Sequence, residues 1–255
     1  IEKYVMRLSL HSKQGLGNFY VVRGYMLHPD ANPALMLESK RCVMNDPDGD
    51  LVKLLEYAAQ RGVYTMTIYT SMTGEVVAAL KRRCGKYYLG NNLGEVTLSG
   101  VATGQKNMAT AARTWVRNMR RIVREARRVG QPHVTSTITN LFAKYCLEAG
   151  MDIPTAEIFT LPCADVQFAM LRGAARGYGR PMFGGWLATG WFGGTNRDPL
   201  KPQNWKLALE SGFLHGANFL IQESGHWGLY EFCDVEGEKG EDHPLAREYR
   251  RIQNR

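Results

Sequence analysis

Residues 216–227 read GANFLIQESGHW. The apolar run Phe219, Leu220 and Ile221 delivers Gln222, Glu223 and His226 to a Ser-Gly turn. That is the pattern of a buried strand whose C-terminal end carries an acid. A second stretch of the same shape, residues 86–95 (KYYLGNNLGE), ends in Glu95. In chains built from repeated β and α units, chemistry collects just past the strand ends, so the two glutamates are read as a pair facing one cavity.

Working outward, residues 4–10 and 18–27 are extended runs separated by the turn-rich Ser12-Lys13-Gln14-Gly15. Residues 1–17 are therefore expected to form a lead-in strand or one arm of a hairpin. A helix is expected over 51–61, capped by Asp48 or Asp50 and ended by Gly62, followed by a strand over 63–69 (VYTMTIY). Further helices are expected over 74–84, 108–129, through Tyr145, and over 165–178, 205–215 and 244–252. Strands are expected over 86–90, 133–139, 153–159, 182–191 and 218–222. Seven or eight strands alternating with helices imply parallel pairing, because each crossover needs a helix. With 255 residues, the expectation is one α/β domain over 1–255, a single (β/α)8 TIM barrel. A doubly wound open sheet is the rival, but no GxGxxG fingerprint follows the first strand.

Hydrophobic residues make up 44% and charged residues 22% of the chain, a globular rather than a disordered balance. No apolar run approaches the roughly 18 residues of a membrane span. No signal-peptide pattern stands at Ile1, and a start without Met fits a processed or trimmed chain, which leaves localisation open, secretion included. Cys42, Cys84, Cys146, Cys163 and Cys233 are scattered without CxxC spacing, which favours buried free thiols over a zinc cluster. The net charge of +8 owes much to Arg113, Arg117, Arg120, Arg121, Arg124, Arg127 and Arg128 on one expected helix. Because Trp115, Met119, Ile122, Val123 and Ala126 recur there at helical spacing, a solvated outer face is preferred to a nucleic-acid surface. An acidic polymer substrate would also suit the charge.

The expected strand exits carry Tyr69-Thr70, Asn91-Asn92 with Glu95, Asn140, Glu157, Trp191, and Glu223 with His226 and Trp227. Carboxylates, amides and aromatic rings together suit sugars. Carboxyl groups do acid, base and nucleophilic work, amides bind hydroxyls, and rings cover the apolar faces of pyranoses. Glu95 and Glu223 are the catalytic candidates; Tyr69, Asn92, Asn140, Glu157, Trp191, His226 and Trp227 are the substrate-binding candidates. The bland readings are that Glu95 caps its own turn, that Glu157 and Asp165 orient neighbours or cap a helix, and that Trp191 and Trp227 pack the core. His226 and His28 would then be structural hydrogen-bond partners. The chemistry asks for no metal and no cofactor, only carboxyl groups and water.

The order KYYLGNNLGE, HVTSTITN, a strand ending near Glu157, LRGAARGYGRPMFGGWLATGW and WKLALESGFLHGANFLIQESG resembles retaining glycoside hydrolases built on a (β/α)8 barrel. In layout it is similar to the β-galactosidase-like members of the clan that places an acid/base after the fourth strand. The resemblance implies an O-glycosyl hydrolase acting on an oligo- or polysaccharide with retention, with Glu95 as acid/base; Glu223 is read as the nucleophile, on the eighth strand, or on the seventh if the first extended run lies outside the barrel. Two departures stand out: Leu93-Gly94 separates Asn92 from Glu95, and the segment PMFGGWLATGW carries no acid. That acid-free segment motivates the alternative of a barrel that binds carbohydrate without cleaving it. The oligomeric state is not legible in the sequence.

Overall fold

The computed structural model describes residues 19–23, 43–95, 104–138, 142–158, 164–188, 201–222 and 250–251. Of these, 19–23, 43–95, 104–138 and 144–153 belong to one compact unit, and 142–143, 154–158, 164–188, 201–222 and 250–251 to a second. The expected strand over 4–10 and nearly all of the expected helix over 244–252 lie outside the described residues.

The first unit runs β1 (Phe19–Arg23), β2 (Val43–Met44), α1 (Asp50–Ala59), β3 (Tyr64–Ile68), β4 (Ser71–Met72), α2 (Gly74–Cys84), β5 (Tyr88–Asn92), α3 (Met108–Arg128) and β6 (Val134–Ile138). It closes with most of α4 (Ala143–Glu148). β1 pairs with β3, β3 with β5 and β5 with β6, all parallel, while β2 and β4 form a separate two-residue parallel pair. The second unit holds most of β7 (Ile153–Ile158), then α5 (Ala164–Gly177), β8 (Gly184–Leu187), α6 (Lys201–Leu214) and β9 (Phe219–Gln222). There β7 pairs with β8 and β8 with β9, again parallel. The fold class is α/β, consistent with a TIM barrel, as the alternation of elements in the sequence predicts.

Two local expectations need correcting. The helix over 50–59 starts at Gly49 with no side-chain cap. The Asp46 carboxylate instead accepts from the Asp48 backbone N–H at 2.9 Å, Asp48 pairs with Arg83, and Asp50 sits in the first turn, where a negative charge complements the helix dipole. The strand expected over 86–90 begins later, because Gly85–Tyr87 forms a 3-10 turn after α2 and the ladder runs over Tyr88–Asn92.

That shift places a register irregularity opposite Thr65 and Met66, where Tyr88 and Gly90 are the successive partners. Gly90 has φ +122°, and a Cβ there would lie 2.1 Å from the His133 carbonyl oxygen. Only glycine lets β5 come this close to the start of β6. Asn91 N–H uses the approach, donating to the same His133 carbonyl at 3.0 Å.

α3 buries Trp115, Val116, Met119 and Val123. Its N-terminus is capped by Asn107, whose side chain accepts from Thr110 N–H at 2.9 Å. It ends at Gly130 (φ +91°), where Gln131 N–H donates to Ala126 O and Gly130 N–H to Arg127 O, the Schellman pattern. Two of its arginines act as struts. Arg120 donates to Glu148 O at 2.9 Å, and Arg127 pairs with Asp152 at 2.5 Å, while the other Asp152 oxygen accepts from Val134 N–H. Among the described residues no helix is long and apolar enough to cross a membrane.

The second unit packs Phe168, Leu171, Trp205 and Leu209 against Ile158 and Leu187. The glycines of β8 are spaces for rings. A Cβ on Gly184 would lie 2.1 Å from the Phe219 ring, and one on Gly185 or Gly212 would lie 2.8 Å from the Phe168 ring. Phe168→Ala should therefore cost about 3–5 kcal/mol in a denaturant titration, because the surrounding strands cannot collapse into the void. Gly90→Ala should lower stability by at least about 2 kcal/mol, from strain and from separation of β5 and β6.

Cys84 and Cys146 are free and buried, and burial pushes both thiols up from the ordinary 9.0 to about 12. The folded chain thus holds these protons more tightly than the unfolded chain does. This contribution to stability is complete below pH 9 and falls as the pH rises toward 12, which melts recorded between those values should show. Both thiols should resist alkylation at pH 8 until denaturant is added.

Candidate functional site

In the first unit, the ends of β3, β5 and β6 are joined by side chains. Asn92, the last residue of β5, is fully buried. Its carbonyl oxygen accepts from Gly94 N–H at 2.8 Å and from Thr137 N–H at 3.0 Å, and its amide donates to Thr137 Oγ1 at 2.7 Å. Backbone bonds continue the bridge, with Leu93 N–H donating to Thr135 O at 2.8 Å and Tyr69 N–H to Asn92 O at 3.2 Å.

Past this bridge the chain turns at Gly94, φ +78°, directly under the Tyr69 ring, where a Cβ would come within 1.8 Å of Tyr69 Cε1. Tyr69 itself has φ +50°, the non-glycine residue with a left-handed backbone among the described residues. Such a conformation costs on the order of 1–3 kcal/mol and persists where the surroundings over-determine it. Here Asn92 O, Gly94 and the next residue all bear on it. Glu95 N–H donates to the Tyr69 phenol oxygen at 3.2 Å. The Glu95 backbone is thereby fixed, while its side chain is exposed and its carboxylate bonds to none of the described residues. A carboxylate presented to solvent from an anchored turn can exchange a proton with a bound molecule.

The structure thus brings Tyr69, Asn92 and Glu95 together in one unit. Asn92 is buried inside the bridge, and its polar atoms are used within the protein. Thr137, which completes the bridge, was missed in the sequence. It sits in the β-branched run HVTSTIT, where every threonine looks alike, and only pairing to β5 singles it out.

In the second unit, Glu157 lies inside β7 rather than beyond it, 9% exposed, with Trp186 of β8 as its register partner. The indole N–H of Trp186 is buried and donates to none of the described residues. Trp186 too was missed, hidden within the glycine-rich segment. β9 ends at Gln222, immediately before Glu223. Glu223, Asn140, Trp191, His226 and Trp227 lie outside the described residues. Among the described residues, no group of three or more His, Cys, Asp and Glu side chains is placed to hold a metal ion.

No protein-family profile matches the chain, and no curated protein matches it. Among solved structures, the chain is similar to an endocellulase variant from Pyrococcus horikoshii crystallised with cellotetraose. The TM-score is 0.59 at 12% identity, covering 98% of this chain and 86% of that one. At that identity the likeness is one of fold.

The bridge makes a sharp expectation. Asn92→Ala strands the Gly94 and Thr137 N–H groups and should cost about 1–3 kcal/mol. Tyr69→Phe, which removes the phenol oxygen that accepts from Glu95 N–H, should cost about 0.5–1.5 kcal/mol. Chemical denaturation of the two variants beside the parent checks the order.

Proposed function

We propose that the chain is a glycoside hydrolase acting on an oligo- or polysaccharide by retention, with Glu95 as acid/base and Glu223 as nucleophile. The observation that carries the reading is the anchored turn that presents the Glu95 carboxylate at the end of β5. The fold shared with an endocellulase supports the class of reaction. Tyr69, Asn140, Glu157, Trp191, His226 and Trp227 would surround the sugar, and Asn92 would act through the turn. In a retaining reaction one carboxyl protonates the leaving oxygen while the other forms the glycosyl-enzyme, which water then opens. The first substrates to offer are cello-oligosaccharides, followed by uronic-acid polymers, which suit the net charge of +8.

The second reading is a barrel that binds carbohydrate without cleaving it, favoured by the absence of an acid in Gly184–Leu187. Reducing-end release from a panel of oligosaccharides separates the two. If the chain is the enzyme, Glu95→Gln and Glu223→Gln should each lower kcat by about 10²–10⁴-fold. The first-formed anomer, read by NMR, should keep the configuration of the substrate. Binding in calorimetry with no turnover of any substrate would favour the second reading, and turnover unaffected by either variant would reject both assigned residues.

A further inference from the structure

We propose that the outer face of α3 is a docking surface for double-stranded DNA, held through its phosphates. Arg113, Arg117, Arg120, Arg121, Arg124, Arg127 and Arg128 stand on this helix with a single acid, Glu125. At about 3.6 residues per turn these arginines fall within an arc of about 120°, and from Arg113 to Arg128 they run about 22 Å along the axis. All of them are exposed. The opposite side carries Trp115, Met119 and Val123, which are buried.

The apolar spacing alone favours a solvated outer face, but on such a face charges of both signs alternate and pair. α2 follows that rule, with Arg83 answered by Asp48 and Glu56. On α3, among the described residues, carboxylates answer the last two arginines, Arg127 through Asp152 and Arg128 through Glu125. Arg113 reaches the Thr110 hydroxyl, and Arg120 and Arg124 reach backbone carbonyls, bonds that leave the charge uncompensated. Arg117 and Arg121 make no hydrogen bond or ion pair with the described residues. Arginines three or four apart, such as Arg113 with Arg117, Arg117 with Arg121 and Arg120 with Arg124, repel one another. The helix dipole favours cations near the C-terminal end, not at Arg113 or Arg117. The stripe thus works against the helix that carries it, and an anion from outside the chain relieves it.

Residue type and spacing select that anion. Guanidinium groups bind phosphate through two parallel N–H bonds, and α3 carries no lysine. One arginine per about 3 Å of helix is close to the one phosphate per about 3.4 Å of a DNA strand. The aromatic residue of α3, Trp115, is buried, so the stripe offers no ring on which an unpaired base could stack, which favours a duplex over a single strand. A membrane surface is disfavoured because the apolar face that would enter it is already buried. This inference is independent of the glycosidase reading, since neither Glu95 nor Glu223 takes part in it.

The test is fluorescence anisotropy of a labelled DNA duplex of about 20 base pairs, titrated with the full chain from about 50 to 200 mM salt. Arg113, Arg117, Arg120, Arg121 and Arg124 should give log Kobs a slope of about −3 to −4.5 against log salt. Arg117→Gln should make that slope shallower by about one. Arg117→Gln, Arg121→Gln and Arg124→Gln combined should weaken binding at least about tenfold at the lowest salt and make the slope shallower by about two to three. Lys53→Gln, Lys81→Gln and Arg82→Gln combined remove the same charge from exposed positions of α1 and α2 and should leave the slope unchanged. No binding at the lowest salt, or an equal loss in the α1 and α2 variant, would overturn the surface. Equal or tighter binding of polygalacturonate at the same charge concentration, or of phosphatidylserine vesicles, would overturn DNA as its partner. Should the α3 triple variant fail to fold, the slope of the parent chain, Arg117→Gln and the α1 and α2 variant still decide the matter.

Discussion

The Asn92 side chain is the constraint from which the β5 exit of the first unit is built. Its carbonyl oxygen takes two backbone N–H groups that neither strand could satisfy, one from the turn after β5 and one from within β6. Its amide is spent on Thr137. A buried amide that makes three such bonds fixes the direction in which the chain leaves the sheet. Everything beyond it inherits that direction. Gly94 must turn where the Tyr69 ring lies, Tyr69 must adopt a left-handed backbone to put its ring there, and the Tyr69 phenol is then placed to receive Glu95 N–H.

Asn91 does the complementary work on the other face. It holds Thr67 and the Thr70 carbonyl, so the dipeptide ties the β3 exit from one side and the β6 exit from the other. The irregularity at Gly90 precedes both. Without the close approach to His133, β5 and β6 would separate, and Asn92 could not reach Thr137. Backbone freedom at one glycine therefore sets the geometry of two asparagines, and through them the geometry of the exposed acid.

The elements themselves were legible because their signals are local. Gly62, Gly130 and Gly179 stand at φ +72°, +91° and +62° where the helices were expected to stop, and α3 shows the apolar face its spacing predicts. The strand over 86–90 was displaced because Lys86 and Tyr87 read as extended, whereas Gly85, at φ +54°, begins a 3-10 turn that consumes them. The cap at Asp48 or Asp50 was misread because an acid before a helix has three available uses, and the choice fell to Arg83, far away in sequence. The clustering of Tyr69, Asn92 and Glu95 at the β5 exit was legible because a strand exit alone marks such positions. The contacts of Thr137 and Trp186 were not legible, because they depend on a neighbouring strand.

The acid-free segment of β8 has a packing explanation that bears on how the chemistry would be distributed. Phe219 and Phe168 occupy the space where side chains at Gly184 and Gly185 would stand. Trp186 and Leu187 are buried, the first beside Glu157 and the second within the core. Gly184, Gly185 and Leu187 are thereby committed to packing. Under the proposed glycosidase reading, a second acid would therefore come from another strand. In β9, Phe219 packs on Gly184 and Leu220 on the core, and the strand ends at Gln222, immediately before the proposed Glu223. The absence of an acid at Gly184, Gly185 and Leu187 thus follows from how the second unit's core is packed.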